Sequence, residues 1–146
     1  MKNIQKITRV QLKINHEDNF FLLGIVSTEP DYKLSFSINT KFRISLKNIS
    51  PIRITGTTGY ELTFSRFSDI SKSAGIVFTL VSNRSGKNFL LKKLKNVDYL
   101  LQVHDSENEK NIDEITAGLR EIESVNAVFN IDINALKDKN LQYLNQ

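Results

Sequence analysis

Hydrophobic and polar positions follow strand-like periods in several parts of the chain. Residues 7–14 (ITRVQLKI) alternate with a period of two and carry basic side chains, which predicts a half-buried strand near a sheet edge. Residues 20–26 (FFLLGIV) and 75–82 (GIVFTLVS) are instead apolar on both faces. Segments of that kind are buried between neighbouring strands, so we expect both to be inner strands of a sheet.

The segment after the first inner strand has a pattern that fits both a strand and a helix. Its apolar residues alternate with polar ones, but three of them also fall at helical spacing: Leu34, Ile38 and Phe42. The preceding residues are typical of a helix start, because Thr28 can cap the first amides and Pro30 fits the first turn. We therefore predict a helix over residues 29–40.

Shorter patterns predict the remaining elements. Four segments predict strands: part of 42–56, then 60–64, 96–105 and 125–133. Polar residues predict a link over 65–75 and a hairpin turn over 83–87. Asn111 and Glu114 have the spacing of a capping box and precede an apolar stripe that is typical of a helix: Ile112, Ile115, Leu119 and Ile122. A short helix is predicted from 134 to 144.

The order of these elements predicts the fold class. The strand–helix–strand unit at the end of the chain implies a right-handed crossover, whereas the middle of the chain has the pattern of an antiparallel meander. We expect a single α+β domain over residues 1–146. Its architecture would be a two-layer sandwich with helices on one face of a mostly antiparallel sheet, loosely ferredoxin-like.

Composition is that of an ordinary folded protein. Of the 146 residues, 40% are hydrophobic and 25% are charged. No apolar run approaches the ~20 residues that span a bilayer. Residues 1–14 lack the continuous apolar core of a signal peptide, so we expect a cytoplasmic protein with no membrane association. The absence of cysteine excludes disulfides and thiolate metal sites.

Charge is distributed unevenly along the chain. Residues 1–56 hold nine Lys/Arg and four Asp/Glu (+5), residues 57–100 seven and three (+4), and residues 101–146 four and nine (−5). The strongest basic run surrounds Phe89 and contains no acid: Arg84, Lys87, Lys92, Lys93 and Lys95. These cations could hold nucleic-acid phosphates while Phe89 stacks on a base. We favour the simpler explanation, a basic edge strand that discourages sheet-to-sheet pairing.

The chain contains no complete catalytic or metal-binding constellation. Ser85-Gly86-Lys87 lacks the rest of a phosphate-binding loop, since Val81 and Asn88 occupy the positions that need Gly and Ser or Thr. His16 and His104 are the only histidines, too few for a zinc site without cysteine. The pair His104-Asp105 lacks an oriented nucleophile. We predict no catalytic residue, no metal site and no cofactor.

Residues 97–99 carry a resemblance to a known family. With Val97-Asp98-Tyr99 the chain resembles the IPExxxVDY family of small uncharacterised bacterial proteins. More diffuse similarity covers three further segments: 31–34, 80–83 and 125–136. Where the family has Ile-Pro-Glu, this chain has Leu91-Lys92-Lys93. The resemblance implies a cytoplasmic, single-domain bacterial protein, supports the helix at 29–40, and carries no activity, cofactor or catalytic residue.

Alternation within 96–105 assigns the side chains of the family motif to two faces. One face would hold Val97, Tyr99, Leu101 and Val103. The other would hold Asp98, Leu100, Gln102 and His104. Because Asp98 is an acid between core-facing neighbours, we predict that it pairs with a base or caps backbone amides, and that Asp98→Ala lowers stability.

Small α+β domains with exposed sheet edges commonly bind partners. We therefore expect a non-enzymatic binding or regulatory module that meets an unknown protein partner or a second copy of itself. The alternative is an RNA-binding accessory protein that uses the basic run together with three further cations: Lys33, Lys41 and Arg43.

Overall fold

The structure, a computed structural model, describes residues 20–56, 59–69, 75–105 and 111–145. The strand predicted at 7–14 and the turn that contains His16 lie outside these residues. In chain order the elements are β1 (Phe20–Ser27), α1 (Asp31–Phe42), β2 (Lys47–Thr55), β3 (Glu61–Ser68), β4 (Ile76–Ser82), β5 (Arg84–Ser85), β6 (Asn88–Phe89), β7 (Tyr99–Asp105), α2 (Ile112–Arg120), β8 (Val125–Ile131), α3 (Ile133–Leu136) and a 3-10 helix (Lys139–Asn145).

Six strands form one sheet in the order β2-β3-β4-β7-β1-β8, and neighbouring strands are antiparallel throughout. β5 and β6 form a separate hairpin, as the turn at 83–87 predicts. β7 and β8 flank β1 and run parallel to each other with α2 as their connection, which is the predicted strand–helix–strand unit. The α+β class with a mostly antiparallel sheet is therefore confirmed.

The two apolar segments are inner strands, as predicted. β1 pairs with β7 and β8, and β4 pairs with β3 and β7. Leu101 of β7 lies between Leu23 and Leu80 in the register, and these side chains are buried. Continuous apolar sequence therefore marks the strands that have neighbours on both sides and packed layers on both faces.

Packed layers cover both faces of the sheet. α1 and α2 lie on one face through buried apolar side chains: Leu34, Ile38, Ile115 and Leu119. The opposite face packs against residues 90–97 and the C-terminal helices through a second set: Leu90, Leu91, Val97 and Leu144. Val97 lies in this second layer and not beside Tyr99, so its predicted face is wrong. The reason is that β7 begins only at Tyr99, after a turn.

α1 is confirmed as a helix, with a different start and end from those predicted. Pro30 is its N-cap with ψ at 160°, and no side chain caps the helix, so the capping role predicted for Thr28 is wrong. A helix cannot easily begin earlier, because proline keeps the preceding residue extended. The helix continues to Phe42, whose ring stacks on Phe78 with 6.3 Å between centroids. Arg43 then ends it in the left-handed conformation, with φ at 56°.

Two further boundaries differ from prediction. β3 continues through Ser68 where a polar link was expected, because Phe67 is buried in the α1 layer and Ser68 pairs with Thr79 of β4. The C-terminal helix is divided at Lys137, where φ is 49°. The cap at Asn111 is confirmed, since its side-chain oxygen accepts the Asp113 amide at 2.8 Å.

Candidate functional site

Asp98 is fully engaged, as its position in the sequence predicts. Its Oδ1 accepts a hydrogen bond from Arg84 Nε at 2.5 Å, and its Oδ2 accepts the Ser27 amide at 2.9 Å. Its own amide donates to the Ile25 carbonyl, and its carbonyl accepts the Asn83 amide. The acid therefore pairs with a base and also caps a backbone amide, which joins the start of β7 to the end of β1 and to the β5–β6 hairpin.

Tyr99, the next residue of the motif, fixes the chain between β1 and α1. Its ring is buried, and its hydroxyl donates to the Glu29 carbonyl at 2.5 Å. Burial, followed by the negative charges of Asp31, Asp98 and Glu29, raises the pKa of Tyr99 from 10.0 to about 12. The phenol thus stays neutral and keeps its proton available for the carbonyl.

Ser27 extends the same network to the turn between α2 and β8. Its hydroxyl donates to the Ser124 carbonyl at 2.8 Å and accepts the Glu29 amide at 3.2 Å. The Ser124 hydroxyl is buried and has no hydrogen-bond partner among the described residues. Two chain segments far apart in sequence are therefore held side by side by the motif residues and Ser27.

A groove of about 590 Å³ lies between these two segments. Its lining comes from the start of α1 and from the α2–β8 turn: Glu29, Lys33, Phe36, Ser37, Ile122, Glu123 and Ser124. Phe36 lines the groove, and Tyr32 precedes it by one helical turn on α1; each is 61% exposed. Leu34 and Ile38 pack in the core beneath α1, so the helix does not need the two aromatic rings for its packing on the sheet.

The groove is acidic although the protein is basic overall. Glu29, Glu123 and Lys33 are its charged lining residues, which gives a local sum of −1 against a net charge of +4 for the chain. The raised pKa of Tyr99 has the same origin in part, since Asp31 and Glu29 act on it. A cation near the two exposed rings would meet favourable charges from several carboxylates.

The basic run predicted as a nucleic-acid contact is partly occupied within the fold. Arg84 binds Asp98, and its guanidinium also covers the Phe89 ring at 4.9 Å from the centroid. Lys93 Nζ donates to the Leu136 carbonyl at 2.9 Å. All five members are exposed, and Lys87, Lys92 and Lys95 take part in none of these contacts. Because Arg84 lies over Phe89, that face of the ring is not open for a stacked base.

The three further cations of the RNA interpretation are not gathered with this run. Lys33, Lys41 and Arg43 belong to α1 and its C-cap, on the face of the sheet opposite to residues 90–97. Lys41 Nζ is also paired with the Glu121 carboxylate. The structure therefore divides the predicted basic surface into two parts that lie on different faces.

Sequence reasoning missed the role of Asn83, which is fully buried at the end of β4. Its Nδ2 donates to the carbonyls of Leu94 and Val97, both at 2.9 Å, and its Oδ1 accepts the Leu91 amide at 2.8 Å. One amide side chain therefore shapes the whole segment 90–97. In the sequence it is simply a polar residue at the start of a turn, and nothing distinguishes it from an exposed one.

The pair His104-Asp105 belongs to the end of β7. The His104 ring packs on Phe20 with 5.2 Å between centroids, and Asp105 is buried. Within the ranges that the structure describes, no three His, Cys, Asp or Glu side chains are grouped so that they could hold a metal ion. Across those same ranges, no helix combines the length and apolarity needed to cross a membrane.

A comparison of the chain with protein-family models and with curated proteins found no match. Of the motif residues, Asp98 and Tyr99 support the groove walls through Ser27 and Glu29, whereas Val97 packs on the opposite face of the sheet.

Proposed function

We propose that this protein is a non-enzymatic binding module of the cytoplasm that holds a segment of a protein partner in the groove beside α1. The observation that carries the proposal is the aromatic pair of α1, each member 61% exposed: Phe36 lines the groove, and Tyr32 lies one helical turn before it. Exposed aromatic pairs are costly in water and are the residues that most often dominate binding energy at interfaces.

The chemistry of the groove points to a partner segment with both apolar and basic side chains. An apolar side chain fits between Phe36 and Ile122, which line opposite walls. A Lys or Arg side chain can lie over the exposed rings while the carboxylates of Glu29 and Glu123 neutralise its charge.

The motif residues have a supporting role in this proposal. Asp98 holds Ser27, and Tyr99 holds Glu29, so both keep the walls of the groove in place without entering it. We propose on this basis that the resemblance to the IPExxxVDY family concerns the support of a binding surface. The Ile-Pro-Glu positions, here Leu91-Lys92-Lys93, lie on the other side of the sheet.

RNA binding has less support as a function. The ring of Phe89 is covered by Arg84, and the cations of the basic run and of α1 lie on opposite faces. Fluorescence anisotropy with a mixed-sequence oligonucleotide tests this alternative. Binding that falls steeply with salt and disappears in Lys92→Glu/Lys95→Glu would favour RNA over a protein segment.

Peptide selection tests the proposed function directly. A random peptide library displayed on phage is selected in parallel on the wild-type protein and on Tyr32→Ser/Phe36→Ser. We expect peptides enriched on the wild type alone to place Lys or Arg next to apolar residues. In solution, the double variant should lower the affinity of such a peptide about tenfold or more, the effect of losing a hot spot worth at least ~1.4 kcal/mol.

Tyr60 supplies the matched control, because it is an aromatic residue that is 73% exposed and lies outside the groove, beside β3. Tyr60→Ser should leave the affinity within about twofold of the wild type, since ~0.4 kcal/mol is the usual scatter of distant substitutions. A peptide that binds the double variant as tightly as the wild type would refute the proposal. So would a selection that enriches no sequence on the wild type.

A further inference from the structure

The two edges of the sheet differ in their protection. Among the residues that the structure describes, β2 and β8 are the outer strands. β2 carries Lys47, Pro51 and Arg53 and has a bulge between Ile49 and Ile52, all features that discourage pairing with another strand. β8, with the sequence VNAVFNI, carries no charged residue and no proline.

The regular part of β8 presents backbone groups at its outer side that pair with no other strand among the described residues. The register skips Asn126, so residues 127–131 form the bulge-free part of the strand. Ile25 opposes Val128, but its carbonyl accepts the Asp98 amide and so faces β7. In antiparallel geometry the N–H and C=O of Val128 must then face away from β1, and those of Asn130 do the same.

Arg120 partly covers this edge. Its Nη2 donates to the Val128 carbonyl at 3.3 Å, a long hydrogen bond from an exposed side chain at the end of α2. A backbone amide from an added strand could take the place of Arg120 on the Val128 carbonyl with little loss of stability.

Phe129 lies at the centre of the same segment and is 43% exposed. Its cross-strand neighbour in β1 is Gly24, which has no side chain to pack against. The space above Gly24 is filled by Ile131 and Val97 instead, at about 3.0 Å from where a Cβ would stand. No side chain of its β1 neighbour therefore faces the Phe129 ring, which stays partly exposed.

We propose that β8 of a second copy of this chain pairs antiparallel with β8 about a two-fold axis at Phe129. In that register the outward groups of Val128 and Asn130 exchange hydrogen bonds with those of Asn130 and Val128 in the copy. Phe129 faces its own copy across a non-hydrogen-bonded position, where aromatic pairs are stabilising. The pairing joins the two sheets into one and uses a surface separate from the α1 groove.

Self-pairing is favoured over an unrelated strand by the composition of β8. A symmetric pairing places every side chain opposite its counterpart or a close neighbour, so any charge on the strand would repel itself. β8 contains none, and Ala127 meets Ile131, a small residue against a large one. Because one edge strand buries little area, we expect a weak dimer that forms with rising concentration.

Oxidative cross-linking tests the register. The chain has no cysteine, so single replacements report one position at a time. At the two-fold axis the Cα atoms should lie about 4.5 Å apart, within the ~4.4–6.8 Å span of a disulfide. Phe129→Cys should therefore give a disulfide-linked dimer as its main oxidation product, whereas Ala127→Cys and the control Tyr60→Cys should stay largely monomeric.

Sedimentation velocity over a concentration series tests the dimer without cross-linking. Asn130→Pro removes an outward N–H while leaving the β1 ladder, so it should abolish self-association, as should Phe129→Lys. Arg120→Ala frees the Val128 carbonyl and should strengthen the dimer severalfold. A wild type that stays monomeric at every concentration overturns the proposal. Protection of the Val128 amide from exchange in the monomer also overturns the proposal, because the edge of β8 is then covered by the same chain. Binding of an unrelated strand to β8 of the monomer overturns it as well.

Discussion

The Asp98 carboxylate accepts the amide of Ser27, a residue 71 positions earlier in the chain, and so ties the start of β7 to the end of β1. The same carboxylate binds Arg84, with its side chain only 17% exposed. The Ser27 hydroxyl in turn donates to the Ser124 carbonyl, so Asp98 is linked through Ser27 to the wall of the groove.

Replacing Asp98 should destabilise the fold. Asp98→Ala leaves the Ser27 amide without its acceptor, and we expect the free energy of unfolding to fall by about 2 kcal/mol. Urea denaturation measures the change. Glu61→Ala is the matched control, because it removes an exposed carboxylate whose distance to Arg53 is 3.9 Å, and such a pair contributes little. Equal stability of Asp98→Ala and the wild type would make the acid a functional residue instead.

Tyr99 should set an alkaline limit to stability. Its pKa is raised by burial and by nearby carboxylates from 10.0 to about 12 in the folded protein. The folded state favours the neutral phenol, so its contribution is fully present below pH 10 and is lost as the pH rises through 12. The wild type should therefore lose stability over that interval more steeply than Tyr99→Phe. Tyr60→Phe should follow the wild type, and identical pH profiles for all three proteins would contradict the assignment.

Asn83 should be among the polar residues most sensitive to substitution. Asn83→Ala leaves the Leu91 amide and the Val97 carbonyl without the partners seen here and removes one of two hydrogen bonds to the Leu94 carbonyl, which should cost roughly 3 kcal/mol of stability. Hydrogen exchange at the Leu91 amide should accelerate at the same time. Asn88→Ala, at an exposed position in the nearby β6, should change neither measurement. Slow exchange at Leu91 in the Asn83 variant would show that the segment has another anchor.

Gly118 should resist a substitution that normally stabilises helices. Alanine gains ~1 kcal/mol over glycine within a helix, but a Cβ here would lie 2.8 Å from the ring carbons Cε1 and Cζ of Phe42. We expect Gly118→Ala to lower stability by about 1 kcal/mol through overpacking. In a Phe42→Leu background the same change should become stabilising. A stabilising effect in both backgrounds would mean that the ring moves aside freely.

Local patterns in the sequence are sufficient to predict the inner strands and α1. Apolar runs such as 20–26 can be buried on both faces only within a sheet, and the start of α1 is marked by Pro30. That Asp98 needs a partner also follows from the chain alone, since a buried acid must be satisfied. Which partner it takes does not follow, because Ser27 and Arg84 approach it only through the order of the strands.

The groove could not be predicted in the same way. Its walls come from residues 29–37 and 122–124, which are brought together by the placement of β8 next to β1. Phe36 alternates with polar residues as a core residue would in a strand, and only the helical geometry of α1 exposes it. The burial of Asn83 could not be predicted for a related reason, since a turn residue is buried only when later segments of the chain pack over it.

The most direct test of the binding proposal is to locate a bound peptide on the surface. A wild-type-selected peptide is titrated into isotopically labelled protein, and amide shift changes are followed by nuclear magnetic resonance. The groove predicts the largest changes at Tyr32, Lys33, Phe36 and Ser124, with little change in residues 84–95. Changes concentrated in 84–95, with the α1 residues unaffected, would contradict it.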